Sequence, residues 1–305
     1  MRIVTLLPSA TEIVYALGAE PVAVSHECDY PPEAAEKPAV NRSRVDASAS
    51  SAEIDSQVLE AERGEGVYEI DLDVLEEADP DLIVTQGICD VCAVDSVLVE
   101  DAVSELGLDT EILTTDPHSL RDVLADIQRI GVAIGAEHRA GELDTELRRR
   151  VRAIETRVEE VEPRPRVAVL DWLDPVMVAG HWVPELVETA GGDYGLAAPG
   201  DRSEPREWAD VREYDPEVLV VAPCGFDLEQ TEENLTDLTE RPGWNEVNAV
   251  RENRTVAIDG SAYLNRPGPR LVDSLERLAR VIHPEAFDDD LTATEGVEAL
   301  GTVPA

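Results

Sequence analysis

Apolar positions in this chain fall into two patterns. Short, nearly continuous apolar runs occur at 2–7, 21–25, 81–85, 109–115, 166–172 and 254–259, and again within "YDPEVLVVAPCG" (214–225). Runs of this length bounded by Asp, Pro and Gly predict buried parallel strands. The stretch 119–162 is different. It holds no proline, and Leu143, Leu147, Val151, Ile154 and Val158 recur at steps of three or four. That spacing predicts one long helix over about 137–161, closed by "PRPR" at 163–166. Ser9 with Glu12 three residues later reads as a capping box opening the first helix, and Gly18 as its stop. Pro184 fits the first turn of a helix running through Thr189.

Two pairs of segments echo each other. "RIVTLL" (2–7) resembles "RVAVLDW" (166–172), and "ADPDLIVTQG" (78–87) resembles "YDPEVLVVAPCG". The expected fold class is therefore α/β: two doubly wound lobes joined by one long spine helix, with a ligand cleft between the lobes. The expected boundaries are 1–118 for the first lobe, 119–162 for the connecting helices, 163–287 for the second lobe and 288–305 for a mobile acidic tail.

Charge changes this picture only at the surface. Of 305 residues, 66 are Asp or Glu and 25 are Lys or Arg, for a net charge of -41, and Lys37 is the single lysine. The acids are spread along the whole length. Such a surface repels nucleic acid and anionic lipid. It suits a protein that stays hydrated in concentrated salt, where the Debye length falls to about 3 Å, so a salt-in halophile is the expected source. No stretch approaches 18 continuous apolar residues, so no membrane span is expected. The N-terminus shows no long apolar leader, twin arginine or lipobox cysteine. A cytoplasmic location is expected as the chain is written, and an extracytoplasmic one if the start codon is misassigned.

In open α/β sheets, ligands sit beyond the carboxyl ends of the strands. The segments following the expected strands are "HECDYPP" (26–32), "QGICDVC" (86–92), "DPHS" (116–119), "DWLDPVMVAGHWVPE" (171–185), "APCGF" (222–226) and "DGSAYLNRPGPR" (259–270). All four cysteines and three of the five histidines fall in them. Cys28, Cys89, Cys92, Cys224 and His26 are the candidate metal ligands, because thiolate and imidazole suit soft and borderline metals. A CxxC pair alone is also compatible with a local disulfide or two buried thiols. Tyr30, Trp172, His181, Trp182, Phe226, Tyr263, Arg266 and Arg270 are the candidate ligand-binding residues. Aromatic rings can stack on a flat ligand, and equally can pack a lobe edge. The two arginines can clamp carboxylate or phosphate, or pair with neighbouring acids. His118 could as well cap the following helix. His138 and His283 read as structural. Walker, GxGxxG, GxSxG and HExxH signatures are missing, which argues against nucleotide-dependent and hydrolytic chemistry.

The opening "RIVTLLPSATEIVYALG", the spine helix and the two-lobe order resemble the cobalamin-binding branch of the helical-backbone (class III, TroA-like) periplasmic binding proteins, the substrate-binding components of ABC importers. The resemblance spans about 1–285. "HECDYPP", "CDVCAV", "AGHWVPE", "APCGF" and "RPGPR" are similar to blocks of a cobalamin-binding-like subgroup. The resemblance implies a small-molecule ligand, a corrinoid (cobalamin-like) or other metal-bearing compound or a bound metal ion, an ABC permease as partner, and no catalysis. The rival readings are a cytoplasmic thiol protein with a metal or redox centre at the CxxC cluster, and a structural zinc or iron–sulfur site.

Overall fold

The structure is a computed structural model and describes residues 1–64, 66–88, 94, 96–287 and 294–300. The chain divides into two compact units. The first comprises 1–49, 56–117 and 121–146; the second comprises 50–55, 118–120 and 147–305.

In chain order, the elements as far as the long helix are β1 (Ile3–Thr5), α1 (Pro8–Ala16), β2 (Ala23–Val24), β3 (Asn41–Ser43), α2 (Ser51–Glu62), β4 (Tyr68–Ile70), α3 (Leu72–Ala78), β5 (Leu82–Gln86), α4 (Ser96–Leu106), β6 (Glu111–Thr115), α5 (Leu120–Ala133) and α6 (Glu137–Val158). Strands β2, β1, β5 and β6 form one sheet in that order, and every pairing in it is parallel. All four strands therefore end at one edge. Strands β3 and β4 pair separately and antiparallel. The core beneath includes Val4, Leu6, Val40, Ile83, Val94 and Val99, all essentially sealed from water.

The elements that follow are β7 (Val167–Trp172), β8 (Met177–Val178), α7 (Val183–Thr189), β9 (Glu204–Pro205), α8 (Trp208–Tyr214), β10 (Val218–Val221), α9 (Leu228–Glu233), α10 (Thr236–Thr239), α11 (Asn248–Arg251), β11 (Thr255–Ile258), α12 (Leu271–Ile282) and β12 (Val297–Ala299). The sheet order is β12-β11-β10-β7-β8-β9. Its centre, β11, β10 and β7, is parallel, and β8, β9 and β12 are added at its margins through antiparallel pairings. Helix α12 buries Leu271, Leu275, Leu278 and Ile282, one stripe at helical spacing.

The echoes seen in the sequence have a physical cause. Arg2 and Arg166 each stand just before the first strand of their sheet. Arg2 Nε donates to the carbonyls of Ala78 (2.6 Å) and Asp79 (3.2 Å) at the end of α3, and Arg166 Nε donates to those of Tyr214 (3.1 Å) and Asp215 (3.0 Å) at the end of α8. Asp79 and Asp215 close those helices in the left-handed region, at φ 38° and 48°. The acid after each Asp-Pro then accepts from the arginine's own backbone N–H: Asp81 Oδ2 at 2.6 Å and Glu217 Oε2 at 3.1 Å. The same clamp thus sets the register of β1 with β5 and of β7 with β10.

Helix α6 matches the expected spine, ending at Val158 rather than 161. Within the second unit it is tied down by Arg150. The guanidinium donates to both carboxylate oxygens of Glu276 (2.9 and 2.8 Å) and to Asp273 on α12, holding its own pKa above the ordinary arginine value. Two expectations need correction. Ser9 is not a cap: α1 starts on Pro8 with Leu7 at the N-cap, no side chain caps it, and Ser9 and Glu12 are buried inside the helix. Proline at the first position supplies the helical φ without needing a donor partner. The segment after Phe287 also contributes more than a tail, since buried Val297 anchors β12 against β11.

Candidate functional site

In the first unit, the carboxyl edge of the sheet is lined by Thr5, Val24, Gln86 and Thr115. Thr5 and Thr11 share a hydrogen bond of 2.6 Å between their hydroxyls, and Thr11 Oγ1 lies 3.0 Å from Cys28 Sγ. Cys28 is buried beside Val24 and Ala34. His26 is exposed; its backbone N–H donates to Asn41 Oδ1 (3.1 Å) and its ring lies 5.8 Å from that of Tyr68. Tyr30 is 45% exposed. Gln86 is buried at the end of β5, and its Oε1 has no hydrogen-bond partner among the described residues. Cys89 and Cys92 lie outside the described residues. Among the described residues no group of three or more His, Cys, Asp or Glu is placed to hold a metal ion.

In the second unit the candidates follow the carboxyl ends of β7, β10 and β11. Trp172 is half-buried, its ring 5.1 Å from that of Phe226, and its Nε1 is enclosed without a partner among the described residues. Phe226 itself is only 2% exposed. Cys224 is half-buried, and its backbone N–H donates to the Asp171 carbonyl at 2.9 Å. Trp182 is buried and gives its Nε1–H to the Leu264 carbonyl at 2.6 Å. Tyr263 is also buried, with the Arg277 guanidinium 3.7 Å and that of Arg270 5.4 Å from its ring centroid. Arg270 occupies the N-cap of α12, and Arg266 lies four residues before it in the same turn; both are half-buried. Trp172 is thus the half-buried aromatic of the set, with Phe226 against it, while Trp182 and Tyr263 are buried.

His181 has the most constrained backbone of the set. It sits at φ 52°, in the left-handed region that non-glycine residues seldom adopt. Its N–H donates to the Asp201 carbonyl (2.5 Å), and its carbonyl accepts from Gly200 N–H (2.8 Å). Its ring is 5.6 Å from Trp182 and 6.1 Å from His118. His118, which the sequence also allowed as a helix cap, is therefore a neighbour of His181. At the N-terminus of α5, Glu185 Oε2 accepts from Leu120 N–H at 2.8 Å.

Two residues escaped the sequence reading. Asn265 Nδ2 donates to the carbonyls of Ala222 (3.0 Å) and Gly260 (3.1 Å), tying two strand-end loops together; an Asn within "SAYLNRPGPR" carries no local sign of this. Asp171 is the other. The register of β7 against β8 shifts between Leu170 and Trp172, so Asp171 is the extra residue of a bulge. Its carboxyl is enclosed: Ser203 Oγ donates to Oδ2, and Oδ1 has no partner among the described residues. Burial pushes its pKa up to about 6, with the Ser203 hydrogen bond pulling in the opposite direction.

Each of the two α/β units thus carries its candidate residues at the strand ends. The family model described as "Periplasmic binding protein" matches residues 3–262, and the chain belongs to that family. A relative in Bacillus subtilis (strain 168), the uncharacterized ABC transporter substrate-binding lipoprotein YvrC, is 23% identical over 301 residues, covering 94% of this chain and 82% of its own. Among solved structures, a periplasmic heme-binding protein from Pseudomonas aeruginosa superposes with a TM-score of 0.75 at 19% identity, covering 99% of both chains. The periplasmic vitamin B12 binding protein BtuF of Vibrio cholerae gives 0.67 at 21% identity, covering 94% of this chain and 98% of that one. Family members are substrate-binding components of transport systems rather than enzymes. The expected cytoplasmic location finds no support, since the Bacillus relative is a lipoprotein. No helix among the described residues is long and apolar enough to cross a membrane.

Proposed function

We propose that this chain captures a metal-bearing macrocycle, a corrinoid in the first place, and delivers it to an ABC permease from outside the cytoplasmic membrane. The observation that carries the reading is the pair of His181 and His118 together with Trp172 at the end of β7. Trp172 is half-buried with its ring against Phe226, and His181 stands in a strained, doubly clamped turn with His118 beside it. Strained non-glycine residues persist where the surroundings over-determine them, and they concentrate at ligand sites. Two neighbouring imidazoles suit completing the coordination of a metal that arrives inside its ligand. Arg266 and Arg270, half-buried in the same unit, would provide polar anchoring, and the half-buried Cys224 a softer donor.

Heme-binding and vitamin B12-binding proteins both occur among the structural neighbours, so the macrocycle class has support from two sides. The resemblance of "RIVTLLPSATEIVYALG" to the cobalamin-binding branch puts the corrinoid first. The test is absorbance titration of the purified full chain, in molar salt, with hydroxocobalamin and separately with haemin, alongside metal analysis under reducing conditions. Saturable spectral change with hydroxocobalamin at micromolar concentration or below is the expected result. Saturation by haemin alone would replace corrinoid with haem, and no response to either would remove the proposal.

A further inference from the structure

The geometry points to Asp171 as a positioning residue: through Ser203 it fixes the turn that carries His181, without itself meeting the ligand. This deepens the proposed function, since it rests on the His181 turn facing the bound molecule.

The argument begins with the bulge. In an undisturbed β7–β8 ladder, residue 171 would take its place opposite a partner on β8. The extra residue between Leu170 and Trp172 re-aims its side chain instead. The carboxyl meets the Ser203 hydroxyl, which donates to Oδ2, and the same Ser203 oxygen accepts the N–H of Gly180 at 3.0 Å. Gly180 immediately precedes His181. It has no room for a side chain, because an added Cβ would meet the backbone of Asp201, Arg202 and Ser203, with Ser203 N at 2.6 Å. The backbone bonds of His181 to Asp201 and Gly200 close the turn from the other side. Tyr194 OH donates to the carbonyl of Ala179 at 2.6 Å, pinning the residue before Gly180. Meanwhile the Asp171 carbonyl accepts from Cys224 N–H at 2.9 Å. One bulged residue therefore holds the turn of His181 through its side chain and the loop of Cys224 through its backbone.

A second observation separates positioning from packing. Asp171 keeps Oδ1 enclosed with no partner among the described residues, an arrangement that costs stability. A leucine would fill such a site at no electrostatic cost but could not accept from Ser203. The acid is explained by what it holds.

The experiment compares Ser203→Ala, Asp171→Ala and Asp171→Asn with the wild-type full chain by amide hydrogen exchange and by titration with hydroxocobalamin and haemin. Ser203→Ala and Asp171→Ala should speed exchange at Gly180 and His181 by roughly tenfold, the equivalent of one net hydrogen bond, while Val220 in β10 keeps its protection. The same two variants should weaken binding of whichever probe the wild type takes by about three- to tenfold. Asp171→Asn, whose amide oxygen can still accept from Ser203, should restore both. Unchanged exchange at 180–181, or an equal rise across the whole sheet, would overturn the relay. Faster exchange with unaltered affinity would overturn its role in binding while leaving the proposed function standing. A wild type that binds neither probe would remove the proposed function and the binding role together, and the exchange data would still decide the relay.

Discussion

Replacing Asp171 by asparagine should stabilise the protein at neutral pH, and the gain should disappear on acidification. The wild-type carboxyl titrates at about 6 in the folded chain, against an ordinary value of 3.8. Each pH unit of difference corresponds to 1.36 kcal/mol, so ionised Asp171 costs the fold up to about 3 kcal/mol. The sign follows from the direction of the shift. A folded pKa above the unfolded one makes the wild-type contribution most favourable below about pH 4, and that contribution is lost as pH rises through about 6. Asparagine does not titrate, so its advantage is full above about pH 7 and closes between about pH 6 and 4. The amide that replaces Oδ1 remains enclosed without a partner, which trims the gain to about 1–3 kcal/mol. Thermal denaturation of both proteins across this range, in molar salt, reads the difference at roughly 2–4 °C per kcal/mol. A variant less stable than wild type at neutral pH, by an amount that does not change on acidification, would refute the reasoning.

Three further outcomes are expected. Arg150→Met leaves Asp273 and Glu276 facing each other without their shared cation, and should cost about 1–3 kcal/mol in denaturant unfolding; no loss would mean the pairing on α12 is only a surface contact. Gly180→Ala forces a Cβ against the backbone of 201–203 and should lower stability by about 1–3 kcal/mol while weakening hydroxocobalamin or haemin uptake, both read on one sample by melting and titration. Dilution from molar to millimolar salt should expand or unfold the chain, because carboxylates summing to a net charge of -41 lose their screening; cooperative unfolding retained at low salt would contradict the halophilic reading.

What the sequence disclosed, and what it withheld, divides by range. Strand β7 was legible as Val167–Trp172 because parallel strands buried on both faces read as unbroken apolar runs, and α6 because its apolar stripe repeats without a proline. The resemblance between Arg2 and Arg166 was visible, but its cause was not, since each arginine reaches helix-end carbonyls 48 to 77 positions away. The capping box at Ser9 failed because Pro8 had already opened the helix one residue earlier. At the candidate site, aromatic and sulfur-bearing residues stood out by rarity. Their division into the half-buried Trp172 and the buried Trp182, Phe226 and Tyr263 depended on partners such as Leu264, 82 residues from Trp182. The bulge at Asp171 was hidden for the same reason: an acid near the end of an apolar run reads as a strand terminus, and the serine that gives it meaning lies 32 positions on.

The arginine clamps carry a consequence for how such a molecule can diverge. Arg2 and Arg166 fasten each sheet at its amino edge, where the strands begin, and the residues that would meet a ligand lie at the opposite edge. Substitution or loop exchange at one edge can therefore proceed while the strands stay in register from the other. A lineage, or an engineer, could rewrite "HECDYPP" or "APCGF" to suit a different cargo without renegotiating the scaffold. The bulge is the exception: a loop transplanted in place of 179–203 would have to bring its own partner for Asp171, or an apolar residue to replace it.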